Sequence, residues 1–150
     1  MDNLELLHNT MLFKGCSNEE LELALGLFQE RQIKSNTTIF TETMHAEALY
    51  IIKSGNVRIS VTAGEGHERG LLLLTPGEFF GELALVQGEG RLVSAKSEGQ
   101  TELLMLTRKD FQALLDLDPR TGSRLLIAIT KLLAMRIRAY GERFKNLLTV

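Results

Sequence analysis

The sequence predicts an α+β protein, mainly β, in which an antiparallel, jelly-roll-like β-roll is flanked by helices. Short β-rich segments separated by Gly, Asn and Ser fill about 33–106. Many short strands in such a stretch are typical of a closed or two-sheet roll. Helical patterns precede this region and return at about 108–148. Because 150 residues suffice for one compact core, a single domain over 1–150 is expected.

Capping signals predict where two of the helices begin. Ser17 and Glu20 have the spacing of a capping box, in which serine accepts from the third helical N–H and glutamate reaches back. A helix is therefore predicted over about 18–28. Asp118 followed by Pro119 supplies an N-cap with proline in the first turn, which predicts a long helix running to the C-terminus.

Three segments carry the strand prediction. The stretch at 48–61 contains an apolar run, a turn expected at 54–56 and then an alternating pattern typical of a strand. A glycine-rich polar connection is expected at 62–70, and the four leucines at 71–74 are predicted to form a buried return strand. A late strand is expected from Thr101.

Two apolar rows run along the predicted C-terminal helix. The first has a mean spacing of 3.5, as in a coiled coil: Leu126, Ile129, Leu133, Ile137, Tyr140, Phe144 and Leu147. The second is Leu125, Ala128, Leu132 and Met135. Two rows need two partners, so we expect the roll to cover one and the helix of a second copy to cover the other. A single wide stripe packed on the roll alone is the alternative.

Charge and cysteine content bear on partners and location. The net charge is −2, but residues 1–119 carry 10 basic and 18 acidic side chains, whereas 120–150 carry 7 and 1. Without aromatic interleaving or a basic block, the basic helix is interpreted as a solvated face complementary to the acidic body rather than a nucleic-acid site. One cysteine, Cys16, and the lack of a signal peptide pattern indicate the cytoplasm. No apolar run is long enough for a membrane span.

The stretch PGEFFGELALVQGEGRLVSA at 76–95 combines groups suited to a charged ligand. Gly81 precedes a short helix-favouring piece whose free N–H groups would favour an anion. Arg91 offers the same anion a planar fork of donors. Glu82 would repel a phosphate, so its useful role is to accept hydrogen bonds from hydroxyls such as those of a sugar. The set describes a sugar phosphate site, and a local Glu82–Arg91 ion pair is the alternative.

This stretch, the segment before it and the late strand and long helix after it resemble the cyclic nucleotide-binding domain superfamily. That superfamily includes the catabolite activator protein, the protein kinase A regulatory subunit and nucleotide-gated channels. The likeness covers about 13–147, and Gly, Glu and Arg recur in the order of the family's phosphate-binding cassette. It implies a β-roll flanked by helices that acts as a regulatory domain, with a cyclic nucleotide as its ligand.

The resemblance also implies roles for individual residues. Glu82 would bind the ribose 2′-hydroxyl and Arg91 the cyclic phosphate. Backbone groups of three residues would line the phosphate: Gly81, Leu83 and Ala84. Three apolar side chains would wall the purine: Ile59, Leu71 and Leu74.

The family usually closes its pocket with the C-terminal helix, which places Tyr140 and Gly141 against the base. Tyr140 would stack on adenine and present its hydroxyl, or else serve as a coiled-coil core aromatic. Gly141 in a helix costs about 1 kcal/mol relative to alanine, which indicates close approach of a partner helix or of the ligand. Movement of this helix on binding would carry the signal.

Leu92 and Val93 depart from the family pattern, which usually has a small residue or Ser/Thr after the arginine. Leu92 has no hydroxyl that could donate to the phosphate or accept from the guanine amino group, so the resemblance favours cyclic AMP over cyclic GMP. The alternative is a degenerate domain that binds no nucleotide and serves as a dimerisation or docking module.

Other chemistries lack support in the sequence. His8, His45 and His67 have no metal-ligand spacing, and no nucleophile accompanies a recognisable base, so neither a metal, a cofactor nor an enzyme is expected. A helix-turn-helix after the long helix would not fit before Val150. The signal would be read by a separate effector protein or by further parts of a longer chain.

Overall fold

The computed structural model describes residues 2–63, 66–141 and 145. The helices are α1 (Asn3–Asn9), α2 (Asn18–Leu25), α3 (Arg108–Leu117) and α4 (Pro119–Tyr140), with short 3₁₀ helices at Met11–Phe13 and Glu82–Leu85. The strands are β1 (Gln29–Ile33), β2 (Thr38–Phe40), β3 (Ala48–Ala63), β4 (His67–Leu74), β5 (Phe79–Phe80) and β6 (Ser94–Thr107). The predicted α+β class, with helices before and after a roll, is confirmed.

The sheet is built on two long antiparallel strands, β3 and β6. Its strand order is β1-β6-β3-β4, with β2 also pairing with β6 and β5 with β3. The register sets Leu49 opposite Leu106 at one end and Ile59 opposite Ala95 at the other. Strands of 16 and 14 residues twist strongly, so the pair coils and becomes the wall of a roll.

Two hydrophobic clusters fill the molecule. One packs the helices against the first half of β3 and the end of β6, and its largest buried members include Leu6, Phe13, Leu21, Leu49, Leu106, Phe111 and Leu125. The other lies inside the roll and consists of Phe40, Ile52, Val57, Ile59, Phe80, Ala95 and Leu103. The second cluster forms the floor beneath the candidate site described below.

The prediction of a turn at 54–56 is wrong. β3 continues through this point without reversing, and its pairing with β6 shifts register on both sides of Ser54. Gly55 has φ +79°, and a Cβ there would lie 2.4 Å from the carbonyl oxygen of Gln100. The glycine therefore serves an irregularity that bends a long strand, because only glycine tolerates both the positive φ and the close approach.

The prediction of a strand at 71–74 is confirmed, but the prediction that this strand is buried is wrong. β4 starts earlier, at His67, so the polar connection is shorter than expected. Leu71, Leu72 and Leu73 are 49%, 50% and 43% exposed. The physical reason is position, because β4 lies at one end of the strand order with β3 as its neighbour.

Both capping predictions are confirmed. Ser17 and Glu20 form a reciprocal capping box at the start of α2, and the side chain of Asp118 accepts from the Thr121 N–H at the start of α4. α2 ends at Leu25 rather than near 28, since the chain must turn before β1 begins. None of the helices within the described residues combines the length and apolar character needed to cross a bilayer.

The two apolar rows of α4 are covered only over its first half. Leu125 and Ile129 are buried, whereas Met135 and Ile137 are 58% and 38% exposed. α4 ends at Tyr140 and Gly141 is its C-cap with φ +50°, so the expectation that Gly141 lies inside the helix is wrong. The members of the first row at 144 and 147 lie outside the described residues. The body of the protein therefore covers both rows near the start of α4 and leaves both open near its end.

Candidate functional site

A cavity of about 410 Å³ opens between the roll, the short helix after β5 and α4. It is within the usual size range of small-molecule sites. Ten of the twelve predicted site residues line it: Ile59, Leu71, Leu74, Gly81, Glu82, Leu83, Ala84, Arg91, Leu92 and Val93. Gly141 does not line it, and the side chain of Tyr140 lies outside the described residues.

Gly81 shapes the rim of this cavity. It has φ +77° and precedes the 3₁₀ helix Glu82–Leu85. A Cβ at Gly81 would lie 2.8 Å from Nη1 of Arg91 and 3.0 Å from the carbonyl oxygen of Ala48. Glycine is therefore needed for two reasons: the backbone conformation and the passage of the Arg91 guanidinium.

Arg91 is a buried cation, 9% exposed. Its Nη2 donates to the carbonyl of Ala48 at 2.8 Å and its Nη1 to that of Gly81 at 3.3 Å. The guanidinium carbon lies 4.0 Å from the centre of the Phe40 ring, a cation–π contact. Nε is buried and finds no acceptor among the described residues.

The electrostatics of Arg91 are those of an anion site. Burial lowers the pKa of its guanidinium, although arginine stays protonated in proteins. Within the described residues no carboxylate lies at ion-pair distance from it, so the expected alternative of a local Glu82–Arg91 ion pair is not formed. A desolvated cation whose contacts are neutral dipoles gains most from an anion placed beside it.

Glu82 has its partner elsewhere. Its side chain is 5% exposed, and Oε1 lies 2.5 Å from Nη1 of Arg136, whose side chain is half exposed. Arg136 belongs to α4 and lines the same cavity. The ion pair therefore joins the cavity rim to the C-terminal helix.

The backbone at the short helix is partly engaged. The N–H of Ala84 donates to the carbonyl of Gly81 at 3.1 Å, and the carbonyl of Ala84 accepts from Arg108 at 3.2 Å. Ala84 is one of the three residues whose backbone groups were expected to line a phosphate. Its N–H already donates within the turn. Gly81 and Leu83 complete this side of the cavity.

The opposite wall is apolar. Ile59 and Leu74 face the cavity from the paired strands β3 and β4, and Leu71 joins them while remaining half exposed. Leu92 is 76% exposed, so its side chain stands at the cavity mouth and does not fill the interior. The cavity therefore has a charged side and an apolar side, which suits a ligand with a flat ring and an anionic group.

An aromatic cluster supports the floor, and the sequence interpretation did not assign it to the site. Tyr50 stacks on Phe80 with ring centroids 5.2 Å apart, and Phe40 lies 5.9 Å from Phe80. Burial raises the pKa of Tyr50. The consecutive residues Phe79 and Phe80 before Gly81 indicated an aromatic cluster at this point of the sequence. No sequence pattern indicated that Phe40, about 40 residues earlier, belongs to the same cluster.

The segment 81–91, here called the cassette, is fixed to the loop before β3. The Arg91 N–H donates to the Met44 carbonyl at 2.8 Å, and the Arg91 carbonyl accepts from Thr43 at 2.9 Å. Nearby, the N–H of Ala46 donates to the carbonyl of Glu89 at 3.2 Å. These bonds orient the backbone of Arg91, so its side chain enters the cavity from a fixed base.

Arg108 is a second anchor that the sequence interpretation missed. Its Nη1 donates to the carbonyl of Ala46 at 2.8 Å and to that of Ala84 at 3.2 Å. It begins α3, and no local pattern distinguishes it from an ordinary basic residue at a helix start. It links the cassette, the loop before β3 and the C-terminal helices.

The three histidines do not assemble a metal site. His45 Nδ1 lies 2.9 Å from the carbonyl of Gly88 and helps to hold the loop. Among residues 2–63, 66–141 and 145, no group of three or more His, Cys, Asp or Glu side chains is arranged to hold a metal ion.

A family model described as the cyclic nucleotide-binding domain matches residues 30–118. The chain therefore belongs to the cyclic nucleotide-binding domain family. Among individual proteins it is similar to the cyclic AMP receptor protein of Thermus thermophilus, with 42% identity over 127 residues, which is 85% of this chain and 57% of that protein. This chain thus spans little more than half the length of that relative.

Solved structures agree with the sequence relatives. The catabolite activator protein of Thermus thermophilus superposes with a TM-score of 0.81 at 38% identity, covering 92% of this chain and 63% of that one. The regulatory domain of Toxoplasma gondii PKA, crystallised with cAMP, gives 0.68 at 31% identity, covering 74% and 42%. The first is named an activator protein and the second a regulatory domain.

Substituting Arg108 by alanine is expected to loosen the cassette. Both side-chain hydrogen bonds would be lost, which should lower the free energy of unfolding by at least about 1.5–3 kcal/mol, the contribution of a single hydrogen bond to a charged group. Chemical denaturation measures this loss. Amide hydrogen exchange over 81–91 should become faster in the same variant.

The exposed neighbour Lys109 provides the matched control. Lys109→Ala removes the same charge from the same turn of α3 and should change the stability by less than about 0.5 kcal/mol. Equal effects of the two substitutions would show that Arg108 acts only through its charge.

Proposed function

We propose that this chain is a cytoplasmic regulatory domain that binds cyclic AMP, in preference to cyclic GMP, in the cavity beside the cassette. The observation that carries the proposal is that one cavity with an apolar wall has both a buried cation, Arg91, and a buried carboxylate, Glu82, on its rim, and that the two do not pair with each other. A cyclic nucleotide presents one anion, one free ribose hydroxyl and one flat ring, and each has a counterpart here.

Arg91 is proposed to hold the cyclic phosphate. Its two terminal nitrogens lie against carbonyls at the cavity rim and its Nε has no acceptor among the described residues, so donors remain for an incoming anion. A cyclic phosphodiester carries a single negative charge, which one guanidinium balances. Phe40 behind the guanidinium keeps water away and strengthens the attraction.

Glu82 is proposed to accept the ribose 2′-hydroxyl, and the apolar wall to enclose the purine. An ionised carboxylate only accepts hydrogen bonds, so a hydroxyl donor suits it and a phosphate does not. Ile59, Leu71 and Leu74 offer hydrocarbon surface to the faces of the base. Adenine in this position would also cover leucine surface that is otherwise half exposed.

Movement of α4 is proposed to transmit binding. Its residues 134–139 are exposed, so this part of the helix is free to change its contacts without breaking a core. Tyr140 and Gly141 are proposed to meet the base, with nucleotide favouring the arrangement in which they close over it. A separate effector protein, or a further part of a longer chain, would read that movement.

The preference for cyclic AMP rests on Leu92. At 76% exposure at the cavity mouth it presents hydrocarbon where a hydroxyl would be needed to hold the guanine amino group. A guanine amino group without an acceptor loses a hydrogen bond it makes in water, whereas adenine loses nothing there.

A second candidate is a dimerisation or docking module that binds no nucleotide. The observation in its favour is that both terminal nitrogens of Arg91 already donate to backbone carbonyls. The open cavity argues against it, since Leu92 does not fill the space. Nucleotide titration separates the two candidates.

Calorimetric titration of the protein with cyclic AMP and cyclic GMP is the direct test. Binding of both is expected, with cyclic AMP tighter. Arg91→Ala should weaken cyclic AMP by about 100-fold or more, because each hydrogen bond to a charged group contributes about 1.5–3 kcal/mol. Arg91→Lys keeps the charge but not the fork, and should weaken binding by less.

Arg69→Ala is the control, since this exposed arginine on β4 does not line the cavity. It should leave the affinity unchanged. Failure of the wild-type protein to bind either nucleotide at millimolar concentration, or an unchanged affinity in Arg91→Ala, would refute the proposal.

Replacing Leu92 by serine is expected to shift specificity toward cyclic GMP. One new neutral hydrogen bond contributes about 0.5–1.5 kcal/mol, so the ratio of the cyclic GMP to the cyclic AMP affinity should rise about 2- to 10-fold. Leu92→Ala removes the same side chain without adding a hydroxyl, and should leave the ratio unchanged. A ratio that moves equally in both variants would mean that only bulk at this position matters.

We also propose a homodimer through α4. The first apolar row of α4, with its mean spacing of 3.5 residues, continues to Ile137, where the body of the protein no longer covers it.

Sedimentation over a dilution series should show dimers. Ile137→Asp should weaken them at least about tenfold, because a charge would be buried between helices. Ile127→Asp, at an exposed position of α4 that lies off both rows, should leave the dimer unchanged. Monomeric wild-type protein at high concentration would contradict the dimer.

A further inference from the structure

A second cavity, of about 320 Å³, opens on the outer surface of the roll. Arg58 lines it, whereas the adjoining Ile59 lines the first cavity, so the two cavities lie on opposite faces of β3. Within the described residues they share no lining residue. The side chains around the second cavity are polar or charged and include Ser35, Asn36, Arg58, Glu68, Lys96 and Glu98. Such a lining suits a small polar ligand and not a nucleobase.

Lys96 is a partly buried cation of this cavity without a counterion. It lies on β6 directly opposite Arg58 on β3, and like charges in opposed positions of a sheet destabilise each other. Arg58 is compensated, because its Nη2 donates to Oε2 of Glu98 at 2.8 Å. Within the described part of the chain, no carboxylate lies at ion-pair distance from Lys96. A ligand carboxylate beside Lys96 would relieve the repulsion.

Glu68 brings the opposite charge to the same cavity. Its Oε1 accepts from the hydroxyl of Ser60, a residue that is 3% exposed. No cation among residues 2–63, 66–141 and 145 lies at ion-pair distance from this carboxylate. Because β3 lies between β4 and β6, the strands that carry Glu68 and Lys96 are about 10 Å apart. The cavity therefore offers one cation and one carboxylate at separate places, and neither compensates the other.

The wall formed by the loop at 35–36 is held by a buried serine. Ser97 is 3% exposed, and its Oγ donates to the carbonyl of Lys34 at 2.6 Å and accepts from the N–H of Thr37 at 2.9 Å. The N–H of Asn36 donates to the carbonyl of Ser97 at 3.1 Å. Asn36 has φ +59°, a conformation that asparagine tolerates better than most residues. The wall is therefore preformed, which lowers the entropic cost of binding a ligand.

We propose that this cavity binds a free amino acid, with the ligand carboxylate at Lys96 and the ligand ammonium at Glu68. The four charged side chains of the lining, Arg58, Lys96, Glu68 and Glu98, sum to zero, so a zwitterion leaves no charge unbalanced. A phosphate would face two carboxylates, which disfavour it. The site is separate from the nucleotide cavity and does not depend on the proposed function.

The direct test is an NMR titration of the full chain with L-alanine, propionate and ethylamine. Propionate is alanine without its amine, and ethylamine is alanine without its carboxylate. L-alanine at millimolar concentration should shift the amide signals of 35–36 and 96–99. Each of the other two compounds should bind at least about fivefold more weakly, because it lacks one of the two charge-assisted hydrogen bonds.

Two variants assign the charges. Lys96→Met should weaken L-alanine about fivefold or more, whereas Lys34→Met, which removes the same charge from an exposed neighbour outside the lining, should not. Lys96→Met also removes the repulsion across the strands, so the variant should fold. Glu68→Gln keeps an acceptor for Ser60 and should weaken L-alanine to a similar extent. Its control is Glu22→Gln on the exposed side of α2, which should leave the affinity unchanged.

Three results would overturn the amino acid site. Propionate that binds as tightly as L-alanine would show a plain anion site. Equal affinities in Lys96→Met and Lys34→Met would show that only the general charge of the surface matters. Unchanged amide signals at 35–36 and 96–99 in the presence of L-alanine at tens of millimolar would show that the cavity does not bind amino acids. The titrations with cyclic nucleotides affect none of these outcomes.

Discussion

The burial of the Arg91 guanidinium is the constraint on which the rest of the site depends. A cation 9% exposed must be surrounded by dipoles, and the carbonyls of Ala48 and Gly81 provide them. That arrangement also favours glycine at residue 81, which has φ +77° and where a Cβ would lie 3.0 Å from the carbonyl oxygen of Ala48 and 2.8 Å from Nη1 of Arg91. It also brings the start of β3 to the cassette. The anion site is therefore a consequence of how a buried charge is accommodated.

The cassette is held by Leu85, which is buried in the cluster between the helices and the sheet, and by polar contacts to its neighbours. The loop before β3 pairs with the backbone of Arg91, and Arg108 bonds to carbonyls on both segments. On its other side the cassette meets α4 through Glu82 and Arg136. Polar contacts of this kind fix direction well and break locally at low cost. A ligand at the cassette thus acts at the junction of the roll and the C-terminal helices.

Much of the fold was predictable because its determinants are local. The capping box at Ser17 and the Asp118–Pro119 start of α4 involve neighbours in sequence, and both predictions are confirmed. Two errors have a common cause. Gly55 was assigned to a turn and Leu71 to a buried strand, yet a glycine can bend a strand as well as reverse it, and an apolar run does not reveal whether a sheet layer covers it.

For the candidate site, the sequence by itself determined the chemical groups and their order: Gly81, Glu82 and Arg91 within eleven residues, followed by the unusual Leu92. Only the tertiary structure decided their partners. Glu82 pairs with Arg136, 54 residues away, and Arg91 rests on Phe40 and on the carbonyl of Ala48. These contacts form only when the roll has closed and α4 passes beside the cassette. Charge and spacing along a chain specify which contacts are favourable, but only the folded geometry selects among them.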